Sequence, residues 1–145
     1  PLLSSRQPRG DVRMASVSNI LSIALAGMAG VLLRYFLSTW IDTRWGTGFP
    51  WGTIAVNLAG CFIAGCVFQL LVERAATGTY SMDPRLRNAL MVGFLGGFTT
   101  FSAYSVQTIT LLRDSQWLTA LANVGLSNIG GIALAWAGYS VTRSL

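Results

Sequence analysis

Few residues in this chain could do covalent or proton chemistry, and their placement narrows what that chemistry is. The 145 residues include no histidine, which removes histidine-based triads, histidine metal sites and imidazole proton relays. The five acids are Asp11, Asp42, Glu73, Asp83 and Asp114, and none lies in the middle of an apolar run. A proton-coupled transporter of this size needs an embedded carboxylate to carry the proton. An intramembrane enzyme needs an acid–base pair. Both classes are disfavoured, and no catalytic residue is assigned. Cys61 and Cys66 share one apolar run and read as small packing residues, not as a disulfide framework.

The chemistry that remains is uncharged. Gly96-Gly97-Phe98-Thr99-Thr100-Phe101-Ser102 places two glycines and two β-branched threonines, all poor helix formers, near the centre of an apolar run. The spacing suggests a broken helix. Lipid cannot satisfy the carbonyls and amides that a break exposes, so such backbone persists only when buried in protein or bound to something. Freed carbonyls are ready cation ligands; a glycine kink used for packing is the alternative. Thr53 and Asn57 lie four apart, and Asn123, Ser127 and Gly131 step by four. These stripes could line a narrow hydrogen-bonding track, or glue helices together. Phe101 and Tyr104, three apart, are either packing or a source of positive ring edges for an anion. An anion held that weakly can leave again, as conduction requires. Arg34 is the one charge well inside an apolar run, since Arg87 stands at the very start of its own. It either snorkels to the interface, draws anions into a vestibule, or clamps a helix to a loop.

The elements that must position these residues are membrane spans. Apolar residues make up 52% of the chain and charged residues 10%, against about 25% charged in a soluble domain. Apolar runs extend over Ile20–Trp40, Trp51–Val72, Leu86–Leu112 and Trp117–Val141, each close to or above the roughly 20 residues that cross a bilayer. Trp40, Trp45, Trp51 and Trp117 stand at run ends, as interfacial aromatics do. The first run follows Arg6, Arg9 and Arg13, but it is long for a signal peptide and three more runs follow. Residues 1–17 are read as a polar, disordered tail, with Met14 a plausible native start, and residues 18–145 as the membrane domain. All ten basic residues are arginine, and the net charge is +5. That excess belongs at lipid headgroups, not on nucleic acid. With four spans, Arg6, Arg9, Arg13, Arg74, Arg85, Arg87 and Arg143 share a side, opposite Arg44 and Arg113. The count favours cytoplasmic termini, yet without the tail the bias is weak enough to permit both orientations. Glycines recur in every run, so tight helix packing is expected. Four closely packed helices leave no wide pore, which points to an oligomer.

Two stretches give the chain a family likeness: Gly52-Thr53-Ile54-Ala55-Val56-Asn57-Leu58-Ala59-Gly60 and Gly93-Phe94-Leu95-Gly96-Gly97-Phe98-Thr99-Thr100-Phe101-Ser102. Gly27-x-x-Gly30-x-x-x-Arg34-Tyr35 and Asn123-x-x-x-Ser127 add to them. With these motifs the chain resembles the fluoride channel family, the Fluc or CrcB-type proteins, over residues 18–139. The resemblance implies an all-α polytopic membrane protein with four transmembrane helices, the third broken. It implies an antiparallel, dual-topology homodimer in the cell's inner (plasma) membrane, with two fluoride pathways. Fluoride would leave passively, relieving its toxicity. A sodium ion at the dimer centre would be bound by the backbone carbonyls of Gly96 and Thr99. Asn57 would lie on the fluoride pathway and Phe101 would offer a ring edge, with Ser102, Asn123 and Ser127 along the same route. Tyr104 stands where the family usually has a second phenylalanine, so it keeps a ring edge and adds a hydroxyl. The rival readings are a small proton-driven drug or cation exporter and a non-conducting membrane assembly subunit. The first would need an embedded acid and the second no polar stripe.

Overall fold

Inside a bilayer the backbone must satisfy its own polar groups, and a helix does so within one segment. The computed structural model describes residues 9–73, 77, 78 and 83–144, and these contain helix and no strand. Helix α1 covers Arg9–Trp45, so it starts inside the stretch expected to be a tail; residues 1–8 lie outside the described residues. Helix α2 covers Trp51–Phe68 and continues as a π-helical turn, Gln69–Glu73. Helix α3 is built from Pro84–Asn88, a π-helical stretch Ala89–Leu95, and Gly96–Phe98. Helix α4 covers Phe101–Arg113. Helix α5 joins Trp117–Gly125, a π-helical turn Leu126–Gly130, and Gly131–Arg143. Four stretches are long and apolar enough to cross a membrane: Ser16–Trp45, Trp51–Leu71, Pro84–Arg113 and Trp117–Arg143. They coincide, to within a turn or so, with the four runs read from hydropathy. The Glu73–Arg85 connection falls largely outside the described residues.

The helix ends follow local chemistry. Pro50 precedes α2, and Asp42 from α1 caps it across the loop, its Oδ1 accepting from Gly52 N at 2.8 Å. Asp83 caps α3 by accepting from Arg85 N, with Pro84 at the first helical position. Between α4 and α5 the chain turns in three residues. Ser115 takes a left-handed φ of 60° there, and Gln116 N donates back to Leu111 O at 2.8 Å.

Glycine sets which helices touch. A Cβ on Gly30 would run into the Phe94 carbonyl, and one on Gly97 would sit 2.5 Å from Gly27 O, so α1 and α3 meet backbone to backbone. A Cβ on Gly65 would strike Ala135 O and one on Gly138 would strike Phe62 O, which joins α2 to α5 in the same manner. The buried apolar set is small, with Ile54, Val56, Leu95, Phe98 and Leu111 among it. Many large apolar side chains face outward along α1, along α3 and α4, and along α5, where lipid or protein would cover them. Both cysteines are free thiols.

Between α3 and α4 the backbone leaves helical geometry. Thr99 adopts φ −92°, ψ 158° and Thr100 adopts φ −149°, ψ 116°, both extended. Asn57, Phe101, Tyr104 and Ser127 gather around these two residues.

Candidate functional site

Two extended residues within a span raise a question of accounting: every displaced amide and carbonyl needs a partner. Thr99 N still donates to Leu95 O at 3.0 Å, and Thr99 Oγ1 donates to the same oxygen at 2.9 Å. A continuous α-helix would send Thr100 N to Gly96 O. Thr100 N donates instead to Asn57 Oδ1 at 2.7 Å, while Asn57 Nδ2 donates to Thr100 O at 3.0 Å. The Asn57 side chain thus pairs with the extended backbone as a neighbouring strand would. Ala103 N would meet Thr99 O in an unbroken helix, but it donates to Thr100 Oγ1 at 3.3 Å, which caps α4. Arg34 Nε donates to Gly97 O at 3.0 Å. Arg34 is therefore half-buried against the end of α3, holding its backbone, and does not extend along the lipid face. Thr100 N and Ala103 N, the helical donors for Gly96 O and Thr99 O, are thus both diverted to side chains.

A cavity of about 300 Å³ opens beside the extended pair. Its lining includes Asn57, Thr99, Thr100, Phe101, Tyr104 and Ser127. Gly60 lies opposite, and a Cβ there would strike the Thr99 methyl group, so glycine is what lets α2 approach. Phe101 is 76% exposed, and its ring centroid lies 5.3 Å from that of Tyr104. Gly96 is also exposed. Ser102 lies outside the cavity lining and pairs its Oγ with Thr100 Oγ1 at 3.3 Å. Asn123 is 1% exposed and also stands away from the cavity. Its Nδ2 donates to Thr108 Oγ1 at 2.9 Å, and its Oδ1 accepts from Ser127 Oγ at 3.5 Å. It ties α5 to α4 behind the lining.

Two residues here carry no signal in the step-of-four spacing. Asn128 lines the cavity next to Ser127 and bonds Tyr104. The π-helical turn Leu126–Gly130 widens the helix, so two successive residues reach one cavity. A polar pair, Ser127-Asn128, inside an apolar run was the available signal. Gln107 donates from Nε2 to Thr53 Oγ1 at 2.9 Å, and it lines a second cavity of about 290 Å³ with Asp42, Thr47 and Thr110. Among the described residues no cluster of three or more His, Cys, Asp or Glu could hold a metal.

Comparison with known proteins adds a second line of observation. The family described as "CrcB-like protein, Camphor Resistance (CrcB)" matches residues 21–139. A protein of Pseudomonas syringae pv. tomato named "Fluoride-specific ion channel FluC" is 40% identical over 127 residues, which cover 88% of this chain and 98% of that protein. One of the same name from Citrifermentans bemidjiense is 43% identical over 129 residues, covering 89% of this chain and 100% of that protein. A third, from Stutzerimonas stutzeri, is 41% identical over 122 residues, covering 84% and 94%.

Proposed function

This chain belongs to the CrcB-like family, and on that basis we propose that it is a fluoride-selective ion channel that lets fluoride leave the cell passively. It is a multi-pass membrane protein and a channel, not an enzyme. The observation that carries the reading is the cavity at the extended Thr99–Thr100 pair. Its described lining offers neutral donors and ring edges inside a membrane span, with no ionised side chain. A small anion entering it must lose water, and a stripped ion is costly in low dielectric. Several weak donors can replace that water without trapping the ion. Asn57 Nδ2 carries two hydrogens and gives one to Thr100 O; the other serves the anion. Phe101 offers the positive edge of its ring. Ser127 Oγ stands further along the cavity wall.

The break between α3 and α4 would sit at the centre of an antiparallel, dual-topology homodimer in the inner membrane. The outward-facing Gly96 and Phe101 support a partner on that face. A sodium ion fits the oxygens there. Gly96 O and Thr99 O are the two carbonyls whose helical donors went to Asn57 and to the Thr100 hydroxyl, and hard cations take oxygen ligands. Gly97 O, between them, is already held by Arg34. Bound there, sodium would supply fixed positive charge between the two subunits.

The test is fluoride efflux from liposomes carrying the purified protein, read by a fluoride electrode with no proton gradient. Fluoride should run down its gradient. A flat trace from correctly folded protein rejects the reading.

A further inference from the structure

Tyr104 and Asn128 face each other across the cavity wall, and their hydrogen bonds fix the direction of a proton. Asn128 Nδ2 lies 2.8 Å from Val124 O. A carbonyl oxygen only accepts, so the amide nitrogen, not the amide oxygen, occupies that side. The same Nδ2 lies 3.0 Å from the Tyr104 hydroxyl oxygen. Its two hydrogens are thereby both spent, one on Val124 O and one on the tyrosine oxygen. An amide nitrogen has no acceptor capacity, so the tyrosine hydroxyl can only accept from Asn128. Its own proton stays uncommitted: among the described residues no acceptor takes it. Both residues line the cavity.

We propose that Asn128 is a positioning residue that fixes the Tyr104 hydroxyl as an acceptor and so turns its proton into the cavity, making Tyr104 an O–H donor to the permeating fluoride. This rests on the channel reading above. Tyr104 then differs in kind from Phe101. Phe101 can offer only a ring edge, whereas Tyr104 adds a hydroxyl hydrogen bond, which a small, hard anion accepts more strongly than a ring edge. Accepting from Asn128 also polarises the phenol and makes its O–H the better donor, since hydrogen bonds in a chain strengthen one another. The competing role for Asn128 is plain adhesion between α5 and α4.

The experiment is a double-mutant cycle on Asn128→Ala and Tyr104→Phe. Efflux from liposomes is followed over a range of fluoride concentrations, at matched amounts of protein that elutes as folded on sizing. Each single variant should slow efflux, by about fivefold for Tyr104→Phe and about threefold for Asn128→Ala, the scale of one lost hydrogen bond. Each should also raise the half-saturating fluoride concentration, which a loss of helix adhesion would leave unmoved. The double variant should be no slower than Tyr104→Phe alone, because Asn128 acts only through the hydroxyl. Additive losses, or single variants that conduct like the parent, overturn the proposal while the channel reading stands. A parent protein that passes no fluoride overturns the channel reading itself.

Discussion

Replacing Asn57 by aspartate separates its observed task, holding the backbone, from its proposed one, facing the ion. Asn57 Oδ1 accepts from Thr100 N at 2.7 Å, and a carboxylate oxygen can do the same with added charge assistance. Asn57 Nδ2 donates to Thr100 O at 3.0 Å. A carboxylate cannot donate, so two acceptors would face each other there, at a cost of about 1–3 kcal/mol in stability. The first bond offsets part of that loss, so Asn57→Asp should still fold. Its effect on fluoride is far larger. Two like charges about 4 Å apart at an effective dielectric near 20 repel by about 4 kcal/mol. If that acts on the barrier alone, efflux slows by about a thousandfold. The measurement is initial fluoride efflux from liposomes, with sizing chromatography on the same preparation. Flux near the parent's would refute the placement of Asn57 beside the ion. Loss of folded protein together with flux would reassign Asn57 to helix packing.

Three further outcomes follow from the same geometry. Phe101→Ile keeps an apolar body of similar bulk but removes the ring edge, so it should slow efflux in the same liposome assay; a variant that conducts like the parent makes Phe101 packing alone. Arg34→Met keeps the stem and strips the donor from Gly97 O, so thermal or denaturant unfolding should show a loss of about 1–3 kcal/mol. If Gly96 O and Thr99 O hold sodium between two subunits, as proposed, exchanging sodium for a large organic cation during purification should shift the protein from dimer toward monomer on sizing; an unchanged profile in both salts speaks against a cation there.

Local features of the sequence mark the spans well and their partners poorly. Pro50 and Trp51 announce where α2 begins, and hydropathy alone brackets all four spans, because lipid selects for apolar length whatever the neighbours are. The Gly96–Ser102 stretch is legible for the same local reason, its weak helix formers. Pairings across the fold have no such signature. Asn57 meets Thr100 at a separation of 43 residues, and Arg34 meets Gly97 at 63. Nothing in the spacing says that these and not other polar groups are joined. Periodicity also assumes an α-helical step. The π-helical turn Leu126–Gly130 changes that step, so a step of four marks Ser127 and misses Asn128. Asn123 kept the step-of-four rhythm but turned inward to Thr108, since rhythm identifies a face without saying what lies opposite it.

The placement of charge in this site has its own logic. Arg34 brings a full positive charge to the centre of the fold, and the simplest use of it would be to bind the anion directly. It is committed instead to the Gly97 carbonyl, outside the described lining of the cavity. An arginine in contact with fluoride would form a charge-assisted bond about twice as strong as a neutral one, and an ion held that tightly leaves slowly. Spent on the backbone, the same charge holds the end of α3 where Thr99 and Thr100 depart from helical geometry, and still contributes a favourable field to the neighbouring cavity. On the proposed pathway the ion would meet amide, hydroxyl and ring-edge donors, each weak. Rapid entry and rapid exit are compatible only with that division, in which charge fixes the scaffold and neutral groups touch the ion.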